Sequence, residues 1–186
     1  QKLLPYKDLP IYIFIYPWFP DEKKMKLFNG VTAFASYKTI HLFINIENFN
    51  SKSLYSTIAH EWNHLVFYLN HPEKEYSLFT YIVLEGLAEI YENELTKNSL
   101  SIWSTSLNRK EALTQLKLLS PLLNEKGIKI YNSVFLGTDK FKKWTGYSIG
   151  YWLMRDFRKN NNKMSWNKIL KLNINNFYKY YKKSNS

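Results

Sequence analysis

The spacing of apolar and polar positions changes period along this chain. Residues 11–16, Ile-Tyr-Ile-Phe-Ile-Tyr, are an unbroken β-branched and aromatic run between Pro10 and Pro17. That pattern predicts a buried strand. A Lys-rich polar stretch from Asp21 to Lys26 and the turn signal Asn29-Gly30 follow, then two more strand patterns, Val31 to Ser36 and Thr39 to Ile46. Over residues 53–70 the period becomes helical. Ile58, Trp62, Leu65 and Leu69 make one apolar stripe, and Pro72 ends the element. Further helices are expected over about Leu78 to Leu95, after Asn108 (a capping box with Glu111), from Thr145 to about Arg158, and briefly after Ser165. The basic tail from Tyr178 to Ser186 reads as frayed. Strands come first and helices after, so the fold class is α+β. A chain of 186 residues suits a single domain, with an N-terminal lobe over about 1–70 and a helical C-terminal lobe over about 71–186.

The helix over 53–70 carries the chemistry. Stepping about 100° per residue puts His64 only about 40° from His60, with the apolar stripe on the opposite side. The helix is therefore expected to pack with one face and present both imidazoles on the other. His60-Glu61-Trp62-Asn63-His64 reads H-E-x-x-H, in which two histidines can reach one metal ion and the glutamate can hold a water beside it. A catalytic zinc takes three protein ligands and leaves one position for water. The best third candidate is Glu85, in Leu84-Glu85-Gly86-Leu87-Ala88-Glu89. A carboxylate in such an apolar helical run is costly unless a cation compensates it. Gly86, a poor helix former, fits a close approach by another backbone. A plain polar helix face made of Glu85, Glu89 and Glu92 explains the same carboxylates and stays open at this point. Glu89, one turn beyond Glu85, is expected to accept the second ring N–H of a ligand histidine. His41 reads as a strand residue with a hydrogen-bonded ring, and His71 as a charge at a helix C-terminus.

Composition narrows the classes. The formal net charge is +11, and the only arginines are Arg109, Arg155 and Arg158. A base-reading protein draws on arginine's bidentate fork, so no specific nucleic-acid partner is expected. The lysine excess instead predicts attraction to anionic surfaces such as cell wall, lipid headgroups or acidic substrates. Cysteine is absent, which removes disulfides, thiolate zinc ligands and a thiol nucleophile. The apolar run near Ile11 is too short to cross a bilayer. The chain begins at Gln1 rather than Met, and with the lysine-driven charge this favours an extracytoplasmic or secreted protein over a cytoplasmic one. A monomer is expected.

With His60, His64 and the Glu85-Gly86-Leu87-Ala88 segment in view, the chain resembles the gluzincins, the zinc metallopeptidases typified by thermolysin and the zinc aminopeptidases. In that group a glutamate ligand follows H-E-x-x-H by about twenty residues, and Glu85 stands 21 positions after His64. The resemblance implies a zincin-like fold, one Zn2+ held by His60, His64 and Glu85, and Glu61 as general base. It also implies Glu89 behind a histidine ligand. Tyr147-Ser148-Ile149-Gly150 resembles the aminopeptidase Tyr-x-x-Gly, whose phenol stabilises the tetrahedral intermediate. Thr32, Ala33 and Phe34 stand where the substrate-binding edge strand would be. The set is most similar to a bacterial family of predicted zinc-dependent proteases with no assigned substrate. Gly30-Val31-Thr32-Ala33-Phe34 lacks the acid that holds a free amine in aminopeptidases, which favours endopeptidase action on peptide or protein substrates. A zinc-binding but non-peptidolytic regulatory or surface-binding module is the main alternative. A basic nucleic-acid or cell-wall binder with an incidental motif is the third.

Overall fold

The computed structural model describes residues 10–97 and 100–184. By contacts the chain falls into two units, Gln1–Pro72 with Tyr91–Ser99, and Glu73–Ile90 with Leu100–Ser186.

The first unit holds a three-stranded sheet and one long helix. Strands β1 (Tyr12–Pro17), β2 (Val31–Ser36) and β3 (Thr39–Ile44) form where the β-branched and aromatic runs predicted them. Their order is β1-β3-β2, with β1 parallel and β2 antiparallel to β3. The β2–β3 hairpin turns through Tyr37 and Lys38, and Lys38 takes a positive φ of 65°. A short helix, α1 (Glu22–Phe28), occupies the polar stretch that carried no sequence signal of apolar period. Asp21 caps it by accepting from the Lys24 N–H at 2.8 Å.

Helix α2 (Ser51–Asn70) begins at Asn50, whose side chain accepts from the Lys52 and Ser53 N–H groups and so satisfies two of the unpaired first-turn donors. It packs beneath β2 and β3, where Val31, Ile40 and Leu42 turn inward. Two sequence expectations change here. β1 is exposed at all six positions rather than buried, because α2 packs on β2 and β3, while β1 stands at the sheet edge. And α2 is not open on its histidine side: from Glu61 to Phe67 burial runs nearly round the helix and takes in Glu61, Asn63 and His64.

The second unit is helical. Helix α3 (Leu78–Thr96) starts here and continues into Tyr91–Ser99 of the first unit. It is followed by α4 (Arg109–Leu118), a 3-10 turn at Ser120–Leu122, α5 (Ile128–Phe135), α6 (Thr145–Asn160), α7 (Trp166–Ile169) and α8 (Ile174–Ser184). The Asn108–Glu111 capping box forms in both directions. The tail is helical through residue 184 rather than frayed, because Phe177 and Tyr181 face inward and are buried, with Phe177 against Phe157 and Tyr181 near Phe79. The last two residues of the predicted tail lie outside the described ones.

The tightest point of this unit is a crossing of two helix backbones. A Cβ on Gly86 of α3 would run into the backbone carbonyl of Gly150 on α6, and a Cβ on Gly150 would run into the carbonyl of Ile82. Helix propensity alone favours alanine at both positions by about 1 kcal/mol. Overpacking against backbone costs about 1–3 kcal/mol or more and wins. Gly86→Ala and Gly150→Ala should each lower the thermal midpoint by about 5 °C or more, followed by circular dichroism. A midpoint that stays level or rises would mean that the helices do not cross here.

Candidate metal centre

In the first unit the period of α2 sets His60 and His64 on one side of the helix. Their ring centroids lie 4.7 Å apart, with the planes at 87°. The His60 Nδ1 is hydrogen-bonded to Glu92 Oε2 at 3.1 Å, and both side chains are largely shielded from water. The Glu92 turn is tied down locally: the Thr96 hydroxyl donates to the Glu92 carbonyl at 2.9 Å and receives the Ser56 hydroxyl at 3.4 Å. A carboxylate on Nδ1 fixes the ring's tautomer and orientation and directs Nε2 toward any metal. His64 is 6% exposed, so it too is held among packed side chains.

Glu61 is 7% exposed, and its Oε2 has no hydrogen-bond partner among the described residues. A buried carboxylate oxygen left unpaired is costly unless a cation or a water meets it. Two imidazoles on the same helix, one backed by a carboxylate, with a buried unpaired carboxylate between them in sequence, form a donor set that fits a divalent zinc-like ion.

In the second unit, Glu85 of α3 is 9% exposed and Glu89 is 3% exposed. Glu89 Oε1 accepts the Ser101 N–H at 3.0 Å. Burial, and then the Glu85 charge, push the Tyr131 phenol well above its ordinary range. The Tyr131 and Tyr147 hydroxyls are hydrogen-bonded at 3.2 Å. Glu85, Tyr131 and Tyr147 thus belong to one neighbourhood, set by the α3–α6 glycine crossing and by α5. Burial likewise raises Tyr151, with Arg155 opposing and the Glu89 charge adding to it.

The sequence-predicted residues therefore sort as follows. His60, Glu61 and His64 share one helix of the first unit, and Thr32, Ala33 and Phe34 lie on β2, a sheet edge in the same unit. Glu85, Glu89 and Tyr147 lie in the second unit. Glu92 is the residue that sequence reasoning did not place in the site. The signal was available, since positions 85, 89 and 92 fall within about 60° on one helix. The histidine whose partner Glu92 is could not be read from that spacing. His41 is a strand residue with a hydrogen-bonded ring, as expected: its Nδ1 meets the Tyr16 hydroxyl at 3.2 Å.

Comparison with known proteins agrees with the metal reading. The family described as "Predicted Zn-dependent protease" matches residues 1–179. An uncharacterized protein of Bacillus subtilis (strain 168), YjfC, is 28% identical over 151 residues, covering 74% of this chain. The chain spans about half the length of that relative. No solved structure matches.

The Glu92 pairing makes a quantitative prediction. Glu92→Ala should weaken zinc binding by about 10- to 100-fold, measured by competition with a chromophoric chelator. An affinity equal to that of the unaltered chain would show that the pair has no bearing on the metal.

Proposed function

The chain belongs to the family of predicted Zn-dependent proteases, and on that premise we propose that it is a gluzincin-type zinc peptidase that cleaves within peptide chains. The observation that carries the reading is Glu61: a buried carboxylate with an unpaired oxygen, placed between two metal-type histidines on one helix. A purely structural or regulatory zinc site has no use for such a base.

In this reading His60, His64 and Glu85 hold one Zn2+, a two-nitrogen and one-carboxylate set that leaves a position open. Support for Glu85 comes from its burial in an apolar stretch of α3, and from its lying on the helix face that carries Glu92 to His60. Zinc, when bound, supplies a Lewis acid that polarises a carbonyl and brings the pKa of water down toward ~7. Glu92 holds His60 in the tautomer a ligand needs. Glu89, whose Oε1 accepts the Ser101 N–H, is in this reading the carboxylate behind a ligand histidine. Glu61 takes a proton from the attacking water and hands it to the leaving amine. Tyr147 donates to the oxygen that gains charge in the tetrahedral species, where one aligned donor is worth about 3 kcal/mol.

The substrate in this reading is an extended peptide that adds to β2 as a fourth strand. Among the described residues β2 is an edge strand, with β3 on its other side, the kind of edge to which an extended peptide adds. Phe34 is exposed on it and offers an apolar contact. No acid stands among Val31–Ser36, which supports internal cleavage over removal of N-terminal residues. The basic charge is concentrated in residues 100–186, where 14 Lys and 3 Arg face four carboxylates. That excess would draw an anionic substrate or surface by long-range attraction, an effect that falls with salt.

Two variants test the reading. Glu61→Gln should keep its zinc and lose cleavage of denatured casein by at least about a thousandfold. Glu85→Ala should lose zinc, by elemental analysis of the purified protein. Undiminished cleavage by the first, or a full metal content in the second, would reject the corresponding role. Zinc uptake with no turnover of any peptide would instead favour the non-peptidolytic module.

A further inference from the structure

Tyr131 is on α5 and belongs to no motif, yet its hydroxyl meets that of Tyr147 on α6 at 3.2 Å. The two rings are built into one stack of aromatics. Tyr131 lies flat on Phe135, with centroids 4.4 Å apart and planes at 11°. Phe135 meets Tyr147 edge-on at 5.0 Å and 89°, so a single ring touches both phenols and sets their separation. Tyr81 meets Tyr131 edge-on, with centroids 4.9 Å apart. Phe135 is fully buried, and Gly146 lies so close to its ring that a Cβ there would stand 2.6 Å from it. Neither phenol can be displaced far without disturbing this packing.

A phenol has one proton to donate and lone pairs with which to accept. If Tyr147 gives its proton to a substrate oxygen, its own oxygen is left to accept. The Tyr131 hydroxyl stands at hydrogen-bond distance to donate to it. We propose, on the reading of Tyr147 given above, that Tyr131 is a positioning residue: its O–H donates to Tyr147 Oη and so turns the Tyr147 proton away from α5 and toward the reacting carbonyl. Without it Tyr147 loses a hydrogen bond that helps to aim its proton in advance of the reaction.

The test compares Y131F, Y147F and the double variant, each checked for an unchanged thermal midpoint and zinc content. Y131F should lower kcat about three- to tenfold with KM unchanged, the scale of one neutral hydrogen bond. Y147F should lose more, and the double variant should be no slower than Y147F alone, because the two phenols act through one proton. The 13Cζ resonance of Tyr147, which reports the hydrogen bonding of its phenol, should shift in Y131F with or without zinc bound. An unmoved resonance with unchanged kcat would overturn the proposal. So would losses that multiply in the double variant, which would give Tyr131 a separate role. Reduced zinc affinity in Y131F with the Tyr147 resonance unmoved would assign the phenol to Glu85 instead, and equally overturn it. A fully active Y147F would remove both the positioning role and the oxyanion role while leaving the Glu61 chemistry standing.

Discussion

Burying His64 and Glu61, and largely shielding His60, along α2 costs free energy that the apolar packing of the same helix has to offset. The helix meets that demand by being enclosed almost all round over Glu61–Phe67, with Leu65, Val66 and Phe67 packed tightly beside the polar groups. The His60–Glu92 pair answers part of the polar cost directly, since a ring N–H facing a carboxylate in a shielded place is a strong, charge-assisted contact. Glu61 is not answered in this way. The contrast within one helix is informative: His60 is held from behind, whereas one oxygen of Glu61 meets no partner among the described residues. A group kept at such a cost is a candidate for function on physical grounds alone.

The second unit solves a different problem, the fixing of distance. Gly86 follows Glu85 directly, and Gly150 lies three residues after Tyr147, so each glycine shares a helical turn with a proposed functional side chain. The backbones of α3 and α6 touch at these glycines. The glycines of both short motifs are thus explained by packing: they let the two helices approach closely enough for Glu85 and Tyr147 to share a neighbourhood with Tyr131. The proposed chemistry belongs to the residues beside the glycines, and the close approach of their helices to the absence of two Cβ atoms.

β1 shows how a strong local pattern can mislead about environment. Ile-Tyr-Ile-Phe-Ile-Tyr has the intrinsic preference of a strand and forms one, paired in register with β3. Whether such a strand is buried depends on what covers it, and α2 packs on β2 and β3. Helix α1 failed in the opposite sense. Its stretch is too polar to show an apolar period, but an Asp21 cap and a left-handed exit at Asn29 suffice to close two turns. The C-terminal helix was underestimated for the same reason, because its two buried aromatics, Phe177 and Tyr181, are a sparse stripe among lysines.

The sequence by itself determined the α+β order, the three strands, the long helices with the Asn108 cap, and the placing of His60 and His64 on one helix side. All of these follow from periods of two and 3.6 residues and from side chains that cap their own backbone, which are local effects. Only the tertiary structure decided that Glu92 stands behind His60, that Glu61 and His64 are buried, that β1 is exposed, and that Tyr131 meets Tyr147. Each of these depends on which distant segment packs against a given face. No spacing within a segment encodes that, because it is settled by the fit of whole surfaces.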